Sequence, residues 1–156
     1  MKQRDDSQHP LSALADEVAR LQGRLKHLFA PILRELGLGE SELTVLTAVV
    51  EAERPPTVPQ IGRSLGHARQ LVQRAANSLA DRGLIELLPN PDHKRAALLR
   101  ATEAGVALKR RADAEAGAIA RNLGEALDLA AARDAAALLR ALCRQLAAPA
   151  RGEDPR

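Results

Sequence analysis

Apolar residues recur in steps of three and four along the first part of the chain, which ends at Gly37 and Gly39. This spacing is a heptad pattern, and it predicts a helix with one apolar stripe. Pro10 suits the first turn of that helix, whereas Pro31 is expected to kink it or to end it early. Two alternatives stay open, because the stripe can pack inside its own domain or against a partner chain. The stripe consists of Leu11, Leu14, Val18, Leu21, Leu25, Leu28 and Ile32.

The next part of the chain predicts three short helices. The first is expected over residues 40–52 from its apolar spacing, and prolines follow it. Thr57 and Gln60 then form a capping-box pair that starts the second helix, which Gly66 ends. The third is expected over residues 68–82. Two helices joined by so short a glycine-containing turn are typical of a helix-turn-helix.

A β-hairpin and two long helices are predicted after the helix-turn-helix. Residues 84–88 and 96–100 suit two short strands separated by a segment rich in turn residues. Thr102 and Asp128 are the expected caps of the two helices that follow. The expected fold class is therefore mainly α with a small β-hairpin. The last helix carries leucines at every fourth position, namely Leu138, Leu142 and Leu146.

Composition disfavours several classes of function. The chain of 156 residues contains one Phe and neither Tyr nor Trp, which argues against recognition by stacking on aromatic platforms. The single Cys143 excludes an internal disulfide and is expected to be a buried, inert thiol. No serine lies in a nucleophile motif and there is no glycine-rich phosphate loop, so an enzyme is not expected.

The histidines and the hydropathy of the chain point to neither a metal nor a membrane. The four histidines lack the spacing of metal ligands, and no cofactor is expected. The first ten residues do not resemble a secretory signal, and no apolar stretch is long enough for a membrane span. We therefore expect a soluble, cytoplasmic protein.

Positive charge is concentrated in the middle of the chain. The net charge is only +3, but seven Lys or Arg residues against three Asp or Glu residues lie between positions 60 and 100. A basic centre between near-neutral ends is typical of a module that binds a polyanion.

One face of the helix expected over residues 68–82 carries side chains suited to reading DNA bases. Arg donates two hydrogen bonds to guanine, and Gln or Asn pairs bidentately with adenine. This face has no acid before Asp81, whereas a merely solvated face more often carries Glu–Lys pairs. We expect DNA contact, with a plain polar surface as the alternative. The candidate residues are Arg69, Gln70, Gln73, Arg74 and Asn77.

The tip of the expected hairpin is basic, with His93, Lys94 and Arg95 in succession. An extended tip with adjacent cations suits a minor groove or a row of phosphates. Asp92 is expected to pair with Lys94 or Arg95 and to shape the tip, which leaves the other cation for DNA.

Taken together, these segments resemble the MarR family of winged helix-turn-helix transcription regulators. The resemblance extends from about Leu11 to Leu146, and its most specific parts are Asn-Pro-Asp-His-Lys-Arg at 90–95 and Thr-Glu-Ala-Gly at 102–105. The other matching segments are residues 61–66, 69–74 and 79–85. Three positions depart from the family pattern, namely Lys94 in place of Arg, His67-Ala68 at the helix start, and Leu71 in place of a small polar residue.

The resemblance implies a homodimer that binds a palindromic operator in double-stranded DNA, and we expect it to act as a repressor. It places the five base-reading candidates in the recognition helix and Asp92, Lys94 and Arg95 in the wing. The implied dimerisation residues are Leu11, Leu14, Val18, Leu21, Leu138, Leu142 and Leu146. The implied division is a disordered tail over 1–10, helical dimerisation segments over 11–36 and 103–147, a winged domain over 40–101 and a disordered tail over 148–156.

The resemblance also implies a pocket for a small-molecule effector between the dimer helices and the winged domain. His27, Arg34 and Arg63 are candidates for the charge in that pocket, but no ligand follows from the sequence. The alternative function is a winged-helix module for protein–protein interaction without specific DNA readout. Such a module has no need of a base-reading helix face.

Overall fold

The computed structural model describes residues 9–147, apart from the side chain of Glu125. The tail expected over 148–156 lies wholly outside this range. The tail expected over 1–10 lies outside it apart from His9 and Pro10, and Pro10 is not disordered because it already begins the first helix. The expected fold class, mainly α with one antiparallel hairpin, is confirmed by the order of the elements. The elements are α1 Pro10–Leu36, α2 Glu40–Val50, α3 Val58–Leu65, α4 Arg69–Asp81, β1 Ile85–Leu88, β2 Leu98–Ala101, α5 Glu103–Leu123, a 3-10 turn Gly124–Ala126 and α6 Leu129–Ala147.

One of the two outcomes expected at Pro31 does not occur, and one expected strand boundary is wrong. Helix α1 runs through Pro31 and ends at Leu36, where the apolar stripe was expected to end, so the proline does not end the helix early. Strand β2 begins at Leu98 instead of residue 96, because the preceding residues belong to the tip of the hairpin. There the side-chain amide of Asn90 donates to the carbonyl oxygen of Ala96 at 2.9 Å, which holds Ala96 in the turn.

The helix starts follow the expected caps. The Thr57 N–H donates to Oε1 of Gln60 at 2.8 Å, and the Gln60 N–H donates back to the Thr57 hydroxyl, which completes the capping box. Thr102 accepts from the Gly105 N–H at 3.1 Å at the start of α5. Asp128 accepts from two backbone N–H groups at the start of α6. These bonds satisfy first-turn donors that have no partner within the helix.

The core lies where α2, α4, α5 and the hairpin meet. Leu46, Val72 and Leu79 are completely buried there. Gly105 brings α5 so close to the hairpin that a Cβ on it would lie 2.0 Å from the carbonyl oxygen of Leu84. No side chain fits in that space, which gives the glycine of the Thr-Glu-Ala-Gly segment a packing reason.

The hairpin is joined to the turn between α2 and α3. The Leu99 N–H donates to the carbonyl oxygen of Pro56 at 2.8 Å, and Thr57 forms an antiparallel bridge with Leu98. Strand β2 therefore has β1 on one side and this short extended segment on the other. The position of the wing relative to α3 is fixed by backbone hydrogen bonds.

The apolar stripe of α1 splits into two parts. Ile32 and Leu36, near the end of the helix, are buried in the core of the chain. The earlier part has no such partner, since Leu11 is 54% exposed and Leu21 is 44% exposed. The stripe between Leu11 and Leu25 is therefore not core of its own chain, which removes one of the two alternatives for most of its length.

Helix α6 is as poorly covered as the first turns of α1. None of its residues is buried, and Leu138 and Leu146 are 64% and 69% exposed. Cys143 is also exposed, so the expectation of a buried thiol is wrong for the single chain. The reason is that α6 packs on the rest of the chain over only a small area. None of the helices within residues 9–147 combines the length and hydropathy needed to cross a membrane.

Candidate nucleic-acid interface

Helix α4 is anchored by one face and exposes the other. Val72, Ala76 and Leu79 are fully buried, which fixes the rotation of the helix about its axis. Four of the five base-reading candidates are exposed and Gln73 is half-buried, so they all lie toward the outer face. The exposed ones are Arg69, Gln70, Arg74 and Asn77.

Two of these side chains bind one another. The Gln73 amide donates to the Asn77 Oδ1 at 2.9 Å across one turn of the helix. This bond restricts both amides before any ligand arrives, and each amide keeps further donors and acceptors for a base edge. Such preorganisation reduces the side-chain entropy lost on binding.

The start of α4 has no side-chain cap. Ala68 is the N-cap residue and makes no capping hydrogen bond. The departure from the family pattern at His67-Ala68 therefore leaves the helix without a side-chain cap. The N–H groups of Leu71 and Val72 donate to the carbonyl oxygen of Ala68, whereas those of Arg69 and Gln70 have no acceptor among the described residues. With the helix dipole, these two groups favour an anion such as a phosphate.

The end of α4 is held by a network around Glu42 of α2. Its carboxylate accepts from the Ser78 hydroxyl at 2.5 Å and from the Gly39 N–H at 2.6 Å, and Arg82 lies 3.7 Å away. Arg82 also donates to the carbonyl oxygen of Gly37 at 2.9 Å. Burial raises the pKa of Glu42, but these hydrogen bonds and the charge of Arg82 together bring it below its usual value. The recognition-helix candidate is therefore tied to the corner between α1 and α2.

The tip of the hairpin is shaped by Asn90 and not by Asp92. Asn90 accepts from the Asp92 N–H at 3.0 Å as well as donating to Ala96, which closes the tip. Asp92 forms no ion pair with Lys94 or Arg95 among the described residues, so the expected pairing is wrong. The sequence signal for this was the turn-forming Asn-Pro-Asp segment, since an Asn side chain readily bonds the backbone two residues on. Asp92, Lys94 and Arg95 are all exposed.

A cleft of about 850 Å³ lies between the hairpin tip, α3 and the start of α4. Arg54, Arg63, Arg69 and Arg95 line it, and we call it the arginine cleft. The one acidic side chain on its wall is Asp92. None of the four arginines forms an ion pair within the described part of the chain. No role for Arg54 was predicted from the sequence, because the turn that carries it is distant in sequence from both the helix and the hairpin.

A second groove, of about 760 Å³, lies between α2, α3 and α6. Its walls are mostly apolar, with residues such as Leu43, Ile61 and Leu65, and its charged groups are Glu51 and Arg140. The three candidates for effector charge do not line it. Arg63 lines the arginine cleft instead, and His27 lies in a shallow depression of α1 with Arg20, Arg24 and Leu28.

The described residues include no group of three or more His, Cys, Asp or Glu side chains placed to share a metal ion.

Comparison with known proteins identifies relatives over most of the chain. A profile of the MarR family matches residues 36–96, from the end of α1 to the tip of the hairpin. A protein of Mycobacterium tuberculosis strain H37Rv, called uncharacterized, is 38% identical over 124 residues. The match covers 76% of this chain and 86% of the relative.

Solved structures show the same fold. A MarR-family transcriptional regulator from Rhodococcus sp. RHA1 matches with a TM-score of 0.75 and 20% identity, over 88% of this chain and 96% of that one. A mutant of MarR from E. coli complexed with operator DNA matches with a TM-score of 0.68 and 21% identity, over 88% of this chain and 99% of that one. CouR from Rhodococcus jostii RHA1, bound to p-coumaroyl-CoA, matches with a TM-score of 0.69 and 21% identity, over 94% of this chain and all of that one. The winged helix-turn-helix fold class is confirmed by these matches.

Proposed function

Since the chain belongs to the MarR family of transcriptional regulators, we propose that it binds one operator sequence in double-stranded DNA as a homodimer and represses transcription there. The family consists of DNA-binding regulators and not of enzymes, in agreement with the expectation from the sequence. Repression follows from occupancy, because a dimer bound near a promoter blocks polymerase. A target in chromosomal DNA also fits the expected cytoplasmic location, which stays a prediction.

The observation that carries the proposal is the outer face of α4. A buried apolar face holds the helix, while arginine and amide side chains project from the other side. In the proposed complex Arg69, Gln70, Gln73, Arg74 and Asn77 enter the major groove. The wing residues Asp92, Lys94 and Arg95 lie at the adjacent minor groove, where a narrow width attracts cations.

Uncovered leucines on α1 and α6 support a homodimer. Leu11, Val18, Leu21, Leu138 and Leu146 are all exposed in the single chain, and Leu14 and Leu142 are half-buried. So many exposed apolar side chains on two helices are typical of a surface that a partner covers. In a homodimer with two-fold symmetry the same patch meets itself, and two recognition helices then face two halves of a palindrome. The proposed dimerisation segments are 11–36 and 103–147, around a winged domain over 40–101.

The groove between α2, α3 and α6 is the proposed site of a small-molecule effector. It lies between the winged domain and a dimerisation helix, so a ligand there can change the spacing of the recognition helices. Mostly apolar walls with Arg140 among the lining residues suit an apolar molecule with an anionic group, since the other charged group, Glu51, is paired with Lys109 at 3.3 Å. CouR is bound to p-coumaroyl-CoA, which shows that a protein of this fold holds an acyl thioester.

The test is fluorescence anisotropy of the purified protein on the DNA upstream of its own gene, against a scrambled duplex, over a salt series. The proposal expects tight binding to the upstream DNA, weaker binding to the scrambled duplex, and a steep fall of affinity with salt. A selection of bound fragments from the whole genome then covers operators elsewhere. Equal and weak binding to all fragments, or a stable monomer in solution, would favour the protein–protein module.

A further inference from the structure

We propose that the arginine cleft holds the sugar–phosphate backbone of the operator, with Arg54 and Arg63 as phosphate contacts outside both the recognition helix and the wing. This inference rests on the proposed function. It adds two residues to the DNA interface, namely Arg54 in the turn before α3 and Arg63 in α3 itself.

The geometry of a duplex requires a backbone at this place. A helix in the major groove and a wing in the neighbouring minor groove lie on either side of one sugar–phosphate strand. The arginine cleft lies between the start of α4, at Arg69, and the hairpin tip, at Arg95. The strand that separates the two grooves therefore passes along this cleft.

The charge of the cleft fits a chain of phosphates. Four guanidinium groups face one carboxylate, that of Asp92, and His93 adds a further polar group. Within residues 9–147 some arginines outside the cleft have acidic partners, such as Arg82 with Glu42 and Arg100 with Glu86, whereas others, such as Arg74 of α4, have none. The four cleft arginines have none there, although all four are exposed to solvent. Planar guanidinium groups of this kind bind phosphate oxygens bidentately.

The scaffold under the cleft is rigid on both sides. Arg54 lies three residues before Thr57, whose backbone bridges to Leu98 of β2. Arg95 lies three residues before Leu98 on the other side of the same bridge. Arg63 extends from α3, which Gly62 brings close to the start of α4, since a Cβ there would lie 3.1 Å from the carbonyl oxygen of His67. Contacts between distant segments of backbone thus hold the positions that carry Arg54, Arg63 and Arg95.

Single variants with a matched control test the proposal. Arg54→Ala and Arg63→Ala are compared with Arg110→Ala, which removes an exposed arginine of α5 outside the cleft. Anisotropy is measured on operator and scrambled duplexes over a salt series, and thermal unfolding checks that each variant folds. We expect each cleft variant to weaken binding about tenfold on both duplexes, because a phosphate contact carries no sequence information. The slope of log Kd against log salt should fall by about 1.8 per dimer, which is 0.9 for each lost phosphate contact.

Two further variants show whether charge is the cause. Arg95→Ala of the wing should reproduce the loss of slope, and Arg54→Lys should keep the slope because lysine keeps the charge. Folded cleft variants that behave like Arg110→Ala would overturn this inference while leaving the proposed function intact. A wild-type protein without selective DNA binding would overturn the proposed function itself. A loss confined to the operator would make Arg54 or Arg63 a base contact and would also contradict the inference.

A last arm separates DNA from a free phosphate compound. Inorganic tripolyphosphate is titrated into the wild type and into Arg54→Ala without DNA. We expect weak and unsaturated binding to both, since the cleft is open and shaped for a continuous strand. Saturable binding that Arg54→Ala abolishes, with DNA binding unchanged, would assign the cleft to a free ligand and overturn the proposal.

Discussion

The hydroxyl of Ser78 donates to the carboxylate of Glu42 at 2.5 Å, which joins the recognition-helix candidate to the first turn of α2 across 36 residues of sequence. The same carboxylate accepts from the Gly39 N–H and lies beside Arg82. Because Arg82 also binds the carbonyl oxygen of Gly37, the end of α1 and the end of α4 share one network. A displacement of the helix that we expect to dimerise thus has a direct mechanical route to the helix that we expect to read DNA.

Removing the charge of Glu42 should reduce stability in a pH-dependent way. Glu42→Gln weakens two charge-assisted hydrogen bonds, and we expect a loss of about 1 kcal/mol in the free energy of unfolding at pH 7. The pKa of Glu42 is lowered in the folded chain from its ordinary value of 4.5. Its contribution is therefore fully present above pH 4.5 and is lost as the pH falls through the folded pKa.

Urea unfolding of wild type and Glu42→Gln at a fixed protein concentration, from pH 7 down to pH 3, measures this effect. The gap between the two should close at the acid end. Glu86→Gln is the control, since Glu86 pairs with Arg100 through side chains that are about half exposed, and such a pair should matter little. A gap that stays constant over the whole range would show that the charge of Glu42 is not the cause.

Gly105 should tolerate no side chain. In Gly105→Ala the new Cβ would overlap the carbonyl oxygen of Leu84 at 2.0 Å, and backbone must move to relieve it. We expect destabilisation by about 3 kcal/mol, at the upper end of overpacking effects. The matched control is Gly23→Ala, because nothing lies within 4 Å of a Cβ there. Alanine in that helical position should stabilise by up to about 1 kcal/mol. Equal thermal midpoints for the two variants would contradict the packing argument.

Arg74 should discriminate between DNA sequences. Arg74→Ala removes the exposed guanidinium near the middle of the outer face of α4. We expect a loss of about 1–3 kcal/mol on the operator, which is roughly fivefold to 150-fold in Kd. Binding to a scrambled duplex should change much less. Anisotropy on both duplexes gives the two numbers, with Arg110→Ala as the control for loss of a positive charge. An equal loss on both duplexes would make Arg74 a phosphate contact.

The exposed leucine ladder of α6 should control the oligomeric state. Leu138→Glu places a charge at a residue that is 64% exposed in the single chain, so the fold should survive while association fails. Sedimentation equilibrium should give a dimer for the wild type and a monomer for the variant, with unchanged helical circular dichroism. Leu87→Glu, at a residue of β1 that is 50% exposed, should leave the dimer intact. A wild-type monomer, or a dimer that survives Leu138→Glu, would exclude α6 as the interface.

Local signals in the sequence determined most of the elements. Helix boundaries are marked by the caps at Thr57, Thr102 and Asp128 and by the glycines after the short helices. These signals act through hydrogen bonds within a few residues, so they can be recognised in the sequence itself. The amphipathic pattern of α4 likewise determined which of its faces is buried, because a helix has only one period. The tip of the hairpin was less predictable, since Asn90 and Asp92 are both able to shape such a turn and only Asn90 does.

Contacts between distant segments were decided by the tertiary structure alone. The place of Arg54 beside Arg95 depends on the bridge between Thr57 and Leu98, and no spacing rule connects positions so far apart. The sequence also did not decide what the heptad stripe packs against, because an apolar face requires burial but does not specify the surface that buries it. Only the exposure of Leu21 in the folded chain shows that its own chain does not bury this part of the stripe.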